Sequence, residues 1–147
     1  MKTTEESGQV KGRKRHLLVD TLGLLLAISV TPAHTSDREG ARRLLMGLKP
    51  LVPRLELIWA DSGCRGEALA TWCAAEGAWH LEIITRVPQA QGFAVRPWCW
   101  IVERTLAWIG RQRRLSKDYE RKVQTSETLL QLAIIRLMVR RLAGSQA

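Results

Sequence analysis

The chain is 147 residues long, enough for one domain or part of one, and its 46% hydrophobic content fits a globular protein with a sizeable core rather than a disordered one. A formal charge of +9 and a pI near 10.3 point to a polyanionic partner, nucleic acid ahead of an anionic membrane surface. MKTTEESGQV has no apolar core and does not read as a signal peptide, LGLLLAISV and LLQLAIIRLMV are too short or too interrupted to span a bilayer, and Cys64, Cys73 and Cys99 lack disulfide or zinc-ligand spacing.

Residues 1–10 are polar and read as a loose segment preceding the domain, which takes up 11–147. KGRKRHLLVD (11–20) runs from basic into apolar, TLG (21–23) reads as a turn, and LLLAISV (24–30) as a second strand, so the pair predicts an antiparallel hairpin. Pro32 ends that strand. Ser36 and Glu39 have capping-box spacing, predicting a helix over about 37–48, broken by Pro50 and Pro53. LELIWA (55–60) predicts a strand with Asp61 at its carboxyl end. Ser62, Gly63 and Gly66 form a turn, and EALATWCAAEG (67–77) a short helix closed by Gly77. HLEIITRV (80–87) is another strand and 88–97 a loop. Apolar positions 98, 101, 102, 106 and 109 recur at helical spacing, predicting a helix from Trp98 to about Leu115, and a last helix covers about Ser126 to Leu142. The order implies an α/β layered domain with a mixed sheet.

Two carboxylates stand out. Leu55, Leu57 and Trp59 share a strand face with Asp61 and mark that face as buried, so Asp61 is expected to emerge at its edge, where open α/β sheets gather their sites. The alternative is that Asp61 caps the following turn. Glu103 has Cys99, Trp100, Leu106 and Ala107 as its helical neighbours. None is cationic, so a partner must come from elsewhere, a tertiary Arg or a metal, unless the carboxylate is simply solvated. Between 96 and 141 there are eleven Lys or Arg against four acids, and Lys11, Arg13, Lys14 and Arg15 make a second basic run with no acid from 7 to 19. Two such patches could track phosphates. Trp98 belongs to the apolar stripe, whereas Trp100 and Trp108 are candidates for base stacking.

KTTEE, VKGRKRHLLVDTLGLLLAISVTPAHTSDREGA, WADSGCRG and WIVERTLAWIGRQRRLSKDYE resemble consecutive blocks of DDE-type bacterial insertion-sequence transposases of the insertion-sequence-five-like group, over nearly all of residues 2–142. The resemblance implies an RNase H-like catalytic fold, here N-terminally truncated with its first central strand missing. It implies metal-dependent DNA cleavage and strand transfer by two Asp and one Glu that hold Mg²⁺ or Mn²⁺. Asp61 matches the second Asp and Glu103 the Glu. The first Asp would precede KTTEE, so the resemblance implies an inactive fragment. Arg104, Arg111, Arg113 and Arg114 fall in the helix that resembles the DNA-contacting one, and with Lys117 and the basic run Lys11, Arg13, Lys14 and Arg15 they are the candidate DNA contacts. The implied partners are DNA, at the element's ends and the target, and either a second copy or an upstream transposase fragment, with no membrane. The implied location is the bacterial cytoplasm, at the nucleoid. Cys99 stands where the family usually has Arg, and Cys64 where an aromatic is usual. The alternatives are a non-catalytic basic DNA-binding protein and the product of a decayed reading frame.

Overall fold

The structure is a computed structural model that describes residues 12–84, 99–115, 117 and 119–144. The polar segment 1–10, Lys11, the loop 88–97 and Trp98 lie outside the described residues.

Strands β1 (Arg13–Val19) and β2 (Leu25–Pro32) form the expected antiparallel hairpin, with Leu17 opposite Ile28, Leu18 opposite Ala27 and a register shift between Leu18 and Val19. Its turn is built by Asp20, whose Oδ1 accepts the amides of Leu22 and Leu24 at 2.9 and 2.8 Å. Gly23 follows at φ +82°, a left-handed conformation that favours glycine. The strand runs through Pro32 itself, a terminal position where its missing N–H costs no ladder bond. Helix α1 (Asp37–Leu45) starts as the sequence predicts, with Ser36 Oγ accepting the Glu39 amide at 3.2 Å. It stops short of residue 48, and Gly47, at φ +68°, turns the chain before Pro50.

Strand β3 (Leu57–Asp61), helix α2 (Glu67–Gly77) and strand β4 (His80–Ile84) make a crossover unit in which β3 and β4 pair in parallel. The left-handed residue that closes α2 is Ala78, at φ +53°, and not Gly77. Gly77 is buried within the helix for another reason: a Cβ there would run into the ring of Trp79, itself 1% exposed. Helix α3 (Cys99–Gly110) ends before the predicted residue 115, and the remainder folds as a separate 3₁₀ turn, Arg113–Leu115. Helix α4 (Val123–Gly144) begins three residues earlier than predicted.

The expected α/β class holds, but the expected single mixed sheet does not appear among the described residues. They form two separate two-stranded sheets, β1–β2 antiparallel and β3–β4 parallel. The face of β3 also differs from the sequence reading. Ile58 is the core residue at 6% exposure, while Leu57 is 36% exposed and Trp59 half-buried, its indole N–H donating to Glu82 at 2.8 Å. A five-residue strand with apolar residues on both faces gives no alternation to read, and α2 covers the Ile58 side.

Two apolar clusters make up the interior. One gathers Leu45, Leu48, Ile58, Leu69, Cys73 and Trp79, with Leu18 and Ala27 of the hairpin against it. The other gathers Val30, Ile109, Leu115, Leu130 and Ile134, with Leu17, Leu25 and Ile28. Successive strand residues face opposite ways, so Leu17 and Leu18 enter different clusters. No helix among the described residues is long and apolar enough to cross a membrane.

His16 joins the hairpin to α1. It is 6% exposed, its Nε2 lies 2.8 Å from Thr31 Oγ1, and a Cβ on Gly40 of α1 would overlap its ring. Burial lowers its pKa below the ordinary 6.5, opposed by Asp37 and assisted by Lys14. The unfolded chain therefore takes up the proton first. Stability contributed here is complete above pH 6.5 and declines as pH falls below it. Urea unfolding at about pH 7.5 and pH 5 should show that decline, and His16→Gln should reduce it. Gly40→Ala should cost about 1–3 kcal/mol through overpacking.

Candidate active site

Asp61 stands at the carboxyl end of β3, where the chain leaves the parallel pair for a 3₁₀ turn, Ser62–Cys64. Its Oδ1 accepts the Ser62 amide and, at 3.1 Å, the Ser62 hydroxyl. The capping role and the strand-end placement thus coexist in one side chain. Burial pushes the Asp61 pKa up, but donation from Ser62 is among the interactions that outweigh it, and the net shift is downward. The group is an anionic hard-oxygen donor, suited to a cation of the Mg²⁺ or Mn²⁺ kind.

Asp37 is the carboxylate that sequence reasoning missed. As the first residue of α1 it lies over the same turn: a Cβ on Gly63 would overlap Asp37 Oδ2, and its Oδ1 is 3.2 Å from Lys14 Nζ. Its signal in the sequence was its place directly after the N-cap, which reads as a helix-dipole residue and nothing more. Cys64 sits among these groups. Burial, Asp37 and Asp61 push its thiol up to about 11, which favours the protonated form near neutrality. Cys64 and Cys73 are free thiols.

Glu103 is exposed on α3. That helix has three stripes: Ile101, Thr105 and Ile109 are buried, Trp100, Arg104 and Trp108 line one flank, and Glu103 and Ala107 face outward. The principal packing of α3 is against β1, the 3₁₀ turn 113–115 and α4, whereas β3 and its turn pack on β4 and α1. Asp61 and Glu103 therefore belong to different packing units. Among the described residues no three His, Cys, Asp or Glu gather as a metal cluster. The chemistry of the two matched carboxylates suits a divalent ion, and an ion held by them would need both units and further ligands.

The flank beside Glu103 is a ladder of rings and guanidinium groups. Arg104 lies over Trp100 at 4.4 Å and over Trp108 at 4.8 Å, and Arg141 from α4 lies over Trp108 at 4.1 Å. Both arginines donate to one acceptor, the Leu22 carbonyl at the hairpin tip, at 3.0 and 3.3 Å. Thr105, 0% exposed, donates to Gly23 O or Ile101 O. The tip is thereby latched to the helix that carries Glu103. Trp100 and Trp108, read from sequence as stacking candidates, stack on arginine here.

The basic residues are not one surface. Arg13 and Arg15 reach the carbonyls of Arg121 and Leu115, while Lys14, between them, turns to Thr35 O and Asp37 on the other side of the hairpin. Arg114 pairs with Glu120 at 3.0 Å. Arg111, Arg113 and Lys117 are exposed.

The sequence matches the family described as Transposase DDE domain over residues 1–138. It is 27% identical, over 128 residues, to a Burkholderia cepacia protein whose name reads "Putative transposase for insertion sequence element IS402". The match takes in 82% of this chain but spans 60% of that relative's length. No solved structure matches.

Removing the latch has a direct cost. Arg104→Ala deletes two cation–π contacts and a carbonyl partner, each contributing roughly 0.5–2 kcal/mol. Stability should fall by about 1–3 kcal/mol, and amide exchange at Leu22 and Leu24 should speed up more than at residues of α2. Uniform acceleration across both regions would show that the latch does not act locally.

Proposed function

Because the chain belongs to the transposase DDE domain family, we propose that it acts in DNA transposition as part of a catalytic domain of RNase H-like design. What carries the reading is the family match over 1–138 together with the Asp61 carboxylate at the carboxyl end of a parallel strand. In this reading Asp61 and Glu103 are the ligands of Mg²⁺ or Mn²⁺. Such ions, when bound, activate the attacking water or 3′-hydroxyl and stabilise the leaving oxygen of the phosphodiester. Asp61 contributes a carboxylate held by Ser62, and Glu103 one carried on a helix that the hairpin tip fixes. DNA, both element ends and target, is the partner, and the bacterial cytoplasm at the nucleoid is where it would be met.

Arg111, Arg113 and Arg114, from the segment after α3, are the main phosphate contacts, with Lys117 in the same segment and Arg13 and Arg15 reaching toward it. Each neutralised phosphate adds about −0.9 to the slope of log affinity against log salt. Replacing Arg111, Arg113 and Arg114 by Ala should flatten that slope by up to about 2–3 units in fluorescence-anisotropy titrations of duplex DNA. An unchanged slope would remove all three from the interface.

The resemblance carries two of the family's three carboxylates, Asp61 and Glu103, onto positions of this chain. The chain alone is therefore expected to give no strand transfer on terminal-repeat DNA with Mg²⁺ or Mn²⁺, since a misplacement of about 1 Å at such a centre can cost roughly 10²-fold. Association with a polypeptide carrying the further Asp should restore joining, and Asp61→Ala or Glu103→Ala should abolish it. Joining by the unaided chain, lost in Asp61→Ala, would show that two matched carboxylates suffice. Restored joining that survives both substitutions would sink the assignment.

A further inference from the structure

Among the described residues, helix α4 packs through one side. Ser126, Leu130 and Ile134 are buried, at 2%, 0% and 2% exposure. On the other side Leu132, Ile135 and Val139 are 56%, 49% and 58% exposed, and Leu142, at 70%, continues the row. Their spacings of three, four and three residues are those of heptad a and d positions. At about 100° per residue the four side chains span an arc of roughly 80°, nearly opposite the buried side. Arg136 and Arg140 flank that arc on one edge, exposed and without an ion pair or hydrogen bond among the described residues. Gln131 and Met138 flank the other.

We propose that this ridge is a docking surface for an amphipathic helix of another polypeptide, one with Glu or Asp beside its apolar seam. The narrowness of the arc argues for a helix, since a strict a/d row is the coiled-coil seam and a bilayer-facing helix presents a wider apolar face. The charge argues for an acidic one. Arg136 and Arg140 offer donors that apolar contact alone leaves unused, and carboxylates at the flanking positions of a partner helix set orientation and register. A second copy docked through the same ridge supplies no such carboxylate. Pairing antiparallel would set Arg136 and Arg140 against themselves, pairing parallel would set Arg136 against Gln131, and each copy brings a charge of +9. The ridge uses neither Asp61 nor Glu103, so it stands apart from the catalytic reading.

The test uses the full chain and two synthetic helical peptides of about three heptads, with Leu at a and d and either Glu or Lys at e and g. Mutual repulsion of the flanking charges keeps each probe from pairing with itself. The Glu peptide should bind at least tenfold more tightly than the Lys peptide by anisotropy. The double variant Ile135→Ser, Val139→Ser, at two exposed sites, should weaken it by at least tenfold. Arg136→Glu with Arg140→Glu should reverse the preference between peptides. Equal binding of the two peptides, or binding untouched by the Ser variant, overturns the proposal. So does self-association of the chain alone, or flotation with anionic phosphatidylserine vesicles, if the Ser variant abolishes it, for then a second copy or a bilayer is the occupant.

Discussion

The β1–β2 hairpin has to be apolar on both faces, and the rest of the molecule is arranged around that requirement. Its two-residue period sends Lys14, His16 and Leu18 toward α1, and Arg13, Arg15 and Leu17 toward α3, α4 and the turn between them. One ribbon therefore serves as the wall of two cores. A slip of one residue in register would exchange the two sets, taking His16 away from Gly40 and Lys14 away from Asp37. The pairing is fixed at its far end by Asp20 and Gly23, and at its near end by His16 against Gly40. Helix α4 adds a tie from the other side, where Glu127 Oε1 accepts the Val30 amide at 2.8 Å.

That division explains how the site candidates are held. Asp61 depends on the first core, through β3 and the turn beneath Asp37. Glu103 depends on the second, through Ile101, Ile109 and the latch at Leu22. The shared element is the hairpin, which touches both helices. In physical terms, the geometry between the two carboxylates is set by a two-stranded ribbon and by what packs on it, and two-stranded ribbons are soft unless further elements stiffen them. The Arg104 and Arg141 contacts to a single carbonyl supply stiffness at the free end of that ribbon, where a turn would otherwise be most mobile.

Much of the element order was legible because its signals are local. Ser36 and Glu39 announce α1, TLG announces the turn, and the apolar positions 101, 102, 106 and 109 announce α3. What escaped was tertiary. The face of β3 could not be read because Leu57, Ile58 and Trp59 are all apolar, and only the position of α2 decides which is buried. Gly77 looked like a helix terminator, yet it makes room for Trp79 while Ala78 takes the left-handed turn. The basic run 13–15 looked like one patch, and strand geometry splits it. Arg104 looked like a candidate DNA contact, and two tryptophans one turn away on either side lie against it. Asp61 and Glu103 were singled out from strand-end placement and from missing helical partners, and both signals are about where a carboxylate sits, not about which other carboxylates it meets.

The split interior also sets an order of events for a growing chain. The first core draws on residues between Leu18 and Leu81 and can close once that stretch has emerged. The second core needs Ile109, Leu115, Leu130 and Ile134, more than a hundred positions from Leu17 at the extreme. At roughly 5–20 residues per second, the ribosome takes several seconds to deliver them. For that interval Leu17, Leu25, Ile28 and Val30 line an uncovered apolar surface on a hairpin already held in register from behind. The nascent protein thus passes through a half-built state whose exposed strand face is a natural target for a chaperone and, in its absence, for a second nascent chain.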